Sequence, residues 1–137
     1  MTKLYRLSQL MELQYQHDRQ HLQSIIDQET ALRSELATLQ EHSDASNSAG
    51  FDDNTEMRSM GADVIWEQWL ERSKTTLNMK LATVLAAKEE RLGRVRQSFG
   101  KRQVAKAQAD KSRDTSKAKV RKQQLESTIS QELLKRQ

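Results

Sequence analysis

The sequence predicts an all-α fold: two long helices in an antiparallel coiled-coil hairpin with a basic C-terminal overhang. Three observations predict it. Only 35% of the 137 residues are hydrophobic while 31% are charged, and proline is absent. That balance suits long helices with narrow apolar seams and leaves too little for a layered core. Apolar residues then recur at alternating steps of four and three through the first forty positions, the signature of a coiled-coil face. Finally, one stretch, "SDASNSAGFDDNTE", abandons that pattern for small, polar and acidic residues, as a turn between two helices does. The whole chain, 1–137, reads as a single elongated hairpin.

Helix 1 is expected over about 2–42. Its heptad places Leu4, Met11, Ile25, Leu32 and Leu39 at a, and Tyr15, Leu22 and Leu36 at d, with Asp18 and Glu29 as mismatches. Leu7, Leu10 and Ile26 widen the seam slightly. Such a helix is roughly 60 Å long at about 1.5 Å per residue. The loop is expected over about 43–58. Helix 2 follows over about 60–135, its N-terminal cap drawn from either Asn54 or Asp63. Ile65, Trp66, Trp69, Leu70, Leu77, Leu81, Val84, Leu85, Leu92, Val95 and Phe99 trace its apolar face, and Lys88 interrupts it. An antiparallel return pairs residues near 60–100 with helix 1, so the chain overhangs after about 102. Beyond Phe99 the seam is reduced to Val104, Val120 and alanines, before Leu125, Ile129 and Leu133 restore a weaker series. Glycine costs helix stability, and Gly100 is the expected point of bending or fraying.

Charge is distributed unevenly. Residues 91–122 hold twelve Lys/Arg against Asp110 and Asp114, whereas the rest of the chain is net acidic. Three readings stay open for the basic run: a solvated helix face, phosphate contacts to nucleic acid, or docking on an acidic protein surface. Nucleic acid is disfavoured because Phe99 is the only aromatic at the run's edge, which leaves no stacking platform.

The chemistry of an enzyme is not apparent. Without cysteine there is neither a disulfide nor a thiolate metal site. His17 and His21 in "HDRQH" lie one helical turn apart, but Asp18 stands where the zinc-protease motif has glutamate, and no third ligand is evident. "FDDNTE" lacks the spacing of a calcium loop. Neither a phosphate-cradling glycine loop nor a nucleophile elbow occurs. A non-enzymatic protein with no cofactor and no metal is expected. No apolar run approaches a membrane span, and the N-terminus is too polar for a signal peptide, so no membrane insertion and a cytoplasmic place are expected.

The two tryptophans of the chain, Trp66 and Trp69, share one helix face. They close the hairpin tip against Leu36 and Leu39 or form an exposed aromatic anchor for a partner, and the two can coexist when a ring is half covered. Trp66, Trp69 and Leu70 are therefore the candidate tip contacts. Lys3, Arg6, Lys101 and Arg102 are the candidate basic contacts at the open end.

The leucine-rich "LSQLMELQYQHDRQHLQSIIDQETALRSELATLQ", the aromatic "WEQWLERSKTTLN" that opens helix 2, and the long charged C-terminal helix together resemble the FliJ/YscO family of flagellar and type III export stalk proteins. The likeness covers nearly the whole chain. It implies a small antiparallel coiled coil similar to the two-helix stalk of the ATP synthase gamma subunit. It further implies a protein peripheral to the export apparatus at the inner membrane, whose open end enters a hexameric export ATPase and whose middle or tip meets the export gate protein or chaperones.

Overall fold

The computed structural model describes residues 2–49 and 61–136, with the backbone alone for Thr2 and 47–49. Two helices account for it, α1 (Thr2–Ala49) and α2 (Ala62–Lys135). They pack against each other as an all-α helical hairpin, with no strand among the described residues.

Helix α1 runs seven residues past the expected stop at His42. Ser43 takes the heptad step after Leu39 and is half-buried, while the Gln40 amide donates to the Asp44 carboxylate at 3.1 Å, one turn on. A seam position and a side-chain bridge thus carry the helix into a segment that composition marks as loop. The rest of the expected loop, from residue 50 to 58, lies outside the described residues, as does Asn54. At the start of α2 the Ile65 N–H donates to the Gly61 carbonyl at 3.3 Å. Gly61 has φ of +77°, a conformation that glycine adopts without strain. Asp63 sits in the first turn, where a negative charge suits the helix dipole.

Burial follows one spacing on each helix. On α1 the steps Leu4, Ser8, Met11, Tyr15, Asp18, Leu22 and Ile25, continuing to Ser43, meet only buried or half-buried residues. On α2 the same alternation runs from Leu70 to Ser112. These are the a and d lines of a two-stranded coiled coil.

Packing divides the chain into two units: residues 20–93, and residues 1–19 with 94–137. In the first, Leu22, Ile25, Leu32, Leu36 and Leu39 of α1 and Leu70, Leu77, Leu81 and Val84 of α2 occupy the seam. Leu70, Leu77 and Leu81 are its buried hydrophobic residues. Burying such a leucine fully is worth about 1.5–3 kcal/mol. In the second unit the pairing is antiparallel, since Glu12 meets Arg102 and Asp18 meets Ser98. Its seam also outlasts the expected limit near residue 102. Ala105 is buried and Ala109 and Ser112 half-buried, because small side chains keep a close helix contact without adding apolar bulk. From Arg113 to Arg136 every residue is exposed. Helix α2 passes through Gly100 without interruption, so the expected fraying point is ordinary helix.

Candidate functional site

Polar groups in the seam decide what remains available to a partner. Glu29, a mismatch in the heptad, is only 8% exposed. Lys88, the interruption on α2, donates to both its carboxylate oxygens at 2.9 and 3.2 Å. The two irregularities are each other's partner. Arg33, one turn along α1, adds a longer contact at 3.8 Å. The Lys88 hydrogen bond holds the Glu29 carboxyl below the usual glutamate range, against the opposing effect of its desolvation. Asp18, the other mismatch, is buried and accepts a hydrogen bond from the Ser98 hydroxyl.

A third group centres on Tyr15. Its ring lies 5.7 Å from that of Phe99, tilted by 53°. The Arg102 guanidinium stands 4.8 Å from the Tyr15 ring centroid and that of Arg19 at 5.6 Å, a cation–π arrangement. Arg102 also donates to Glu12. Glu12 is held below the usual range first by the Gln16 amide, which donates at 3.0 Å, and then by Arg102 and Lys106.

These contacts revise the expected open-end set. Lys3, Arg6 and Lys101 are exposed and available. Arg102 is half-buried and committed to Glu12 and Tyr15; it is part of the seam, and offering it to a partner would unmake that cluster. The available cations lie further along α2 instead. Among the described residues Arg113, Lys117 and Arg121 pair with no carboxylate. Their i, i+4, i+8 spacing puts them on one face.

The tip set is revised as well. Leu70, at 3% exposed, is the most buried hydrophobic residue of the described chain and has no surface to give a partner. Trp66 and Trp69 stack on one another, with centroids 5.1 Å apart and an interplanar angle of 20°. They remain 39% and 45% exposed, so each is covered only in part. Trp69 does share a shallow groove with Leu39, Leu77 and Arg72. Ile65, one turn before Trp69, is also exposed, which makes an aromatic and aliphatic patch at the start of α2.

No group of three or more metal-ligating side chains occurs among the described residues. Nor is any described helix long and apolar enough to cross a membrane. No protein-family model matches this sequence, no curated protein is significantly similar to it, and no solved structure matches it significantly.

Proposed function

We propose that this chain is a non-enzymatic coiled-coil stalk or escort of a flagellar or type III protein export apparatus. It works there by presenting its helix ends to the export ATPase ring and to the gate protein or chaperones. One observation carries the reading: α2 continues from Arg113 to Lys135 with every residue exposed, in a stretch that starts within the basic run. A long helix with so little apolar surface of its own is marginal in isolation, which suits a segment that completes its packing on another protein. The exposed tryptophan patch supplies a second, aromatic contact of the kind enriched at interfaces. The resemblance of the leucine-rich first helix and the aromatic opening of α2 to export stalk proteins names the assembly. The place of action is then the cytoplasm, peripheral to the inner membrane.

The test is a pull-down of the purified, folded chain with the export ATPase of its own source, at low salt. Retention that weakens on raising the salt supports the reading, and absence of binding ends it. A second reading, a self-associating coiled-coil adaptor, is favoured by the exposed Leu125, Ile129 and Leu133, spaced by one turn each. Sedimentation separates the two: the stalk is a monomer, the adaptor a stable dimer or tetramer. Nucleic-acid binding through 91–122 is the third reading and has less support, because Phe99 is engaged with Tyr15.

A further inference from the structure

We infer that the groove beside the first turns of α1 is a docking site for an acidic amphipathic helix of a partner protein. The groove lies within the unit formed by 1–19 and 94–137, encloses about 870 Å³, and is lined by α1 from Leu4 to Glu12 and by α2 from Arg102 to Arg121. Its lining changes character across its width. Leu4, Tyr5, Ala109 and Val120 supply apolar surface, and Tyr5 and Val120 are 59% and 50% exposed. Lys106, Arg113, Lys117 and Arg121 supply the cations. Only two carboxylates share the lining, Glu12 and Asp110, and Glu12 is already answered by Arg102.

Shape and charge together select the occupant. Positions 102–121 extend for roughly 28 Å at about 1.5 Å per residue, some five helical turns. A third helix fits alongside such a pair by laying its own apolar stripe on the floor, as helix-in-groove ligands do. The cations lining the groove call for glutamate or aspartate flanking that stripe. Ala109, Ser112 and Ser116 keep α2 slender here, which lets an incoming helix approach closely. A nucleic acid would meet the cations but gain nothing from Leu4 and Val120. The inference rests on the reading of the basic run as partner-facing, and adds what that partner must look like.

The experiment uses the full chain and a fluorescein-labelled synthetic helix of about 20 residues, with leucines on one stripe and glutamates on both flanks. Anisotropy should show saturable binding. The triple variant Arg113→Glu/Lys117→Glu/Arg121→Glu should weaken it at least about tenfold, and Val120→Ser or Tyr5→Ser about fivefold. Exposed Lys80→Glu in the other unit should leave it unchanged, and circular dichroism melts should show all variants folded. Failure of the peptide to bind overturns the inference. So does indifference to Val120→Ser and Tyr5→Ser, which would reduce the site to bare charge. Tighter binding of a single-stranded oligonucleotide through the same cations overturns it in favour of nucleic acid, and dimerisation abolished by the triple variant overturns it in favour of a second copy. Peptide binding beside a failed ATPase pull-down would sink the export reading and leave the groove standing. ATPase binding untouched by the groove variants, with no peptide binding, would do the reverse.

Discussion

Residues 20–93 and residues 1–19 with 94–137 use the same heptad spacing and fill it with different chemistry. Among the described residues of the first unit the buried hydrophobic ones are three leucines, Leu70, Leu77 and Leu81, and the Glu29–Lys88 ion pair crosses between the helices. In the second, Ala105 is the buried hydrophobic residue. The remaining work falls to the Asp18–Ser98 hydrogen bond, the Tyr15–Phe99 contact and the Arg102 cluster. Spacing alone therefore establishes a seam; bulk at the seam decides how strongly it holds. The weaker seam belongs to the unit that also carries the groove and the exposed tail.

The largest effect should come from hollowing the leucine seam. Leu77→Ala or Leu81→Ala should each cost about 2–4 kcal/mol, read from denaturant unfolding followed by circular dichroism. A loss near zero at both positions would mean that the first unit is no better packed than the second, and the comparison would collapse.

Breaking the ion pair ranks next. Glu29→Ala leaves the half-buried Lys88 without its carboxylate and should destabilise the chain. Replacing both residues with leucine should leave it as stable as the natural sequence or more so, because the desolvation of both charges is then avoided. The same groups give a pH dependence. Glu29 and Glu12 are both held below the ordinary glutamate value, so the stability they contribute is complete above about pH 4.3. It is lost as pH falls through their depressed folded-state values. Thermal melts from neutral pH to pH 3 should show this decline, and Glu29→Gln should flatten part of it. A decline of the same size in Glu29→Gln and the natural chain would show that Lys88 does nothing for Glu29.

Ser98→Ala sharpens the comparison within the second unit. It leaves the buried Asp18 without the hydroxyl that donates to it, at a cost of about 1–3 kcal/mol. Ser98→Thr should recover part of that loss. In the opposite direction, Gly100→Ala should stabilise by about 0.5–1 kcal/mol, since an added methyl group there meets nothing within 4 Å. The gain would locate the helix-weakening element of this unit in backbone entropy, away from the contacts across the seam.

The sequence disclosed the spacing more fully than the contents. The a and d positions of α1 follow from its apolar residues, and even Asp18 and Glu29 are legible as heptad positions filled by the wrong kind of side chain. What spacing along a single helix does not carry is the pairing between helices. Glu29 and Lys88 each look like a flaw until the register sets them opposite one another. Arg102 reads as an available cation for the same reason, since its commitments to Glu12 and Tyr15 depend on residues ninety and eighty-seven positions away. Leu70 reads as a tip residue because of its tryptophan neighbours, although its step of seven to Leu77 marks it as seam. The groove was the least legible feature. Its small-residue line, Ala109, Ser112 and Ser116, carries no hydrophobic signal, yet two of those three positions are half-buried.

The smallest effect is expected in the exposed tail, and it tests the comparison at its edge. Ile129→Ala should change global stability by no more than about 0.5 kcal/mol, the range for surface substitutions, although the residue is aliphatic and lies on a helix. Hydrogen exchange should explain the indifference. Amides from Leu70 to Ala105 exchange only through opening of the helix pair, whereas those beyond Ser112 open by fraying of α2 alone, which breaks no contact across the seam. Protection should therefore fall abruptly past Ser112 and not at Gly100. A fall at Gly100 would restore the glycine as the boundary and remove Ala105 to Ser112 from the paired seam. Uniform protection to Lys135 would mean that Leu125, Ile129 and Leu133 are covered in solution, and Ile129→Ala would then be costly in the same samples. Both readouts turn on one physical question, whether any surface lies against the tail before a partner arrives.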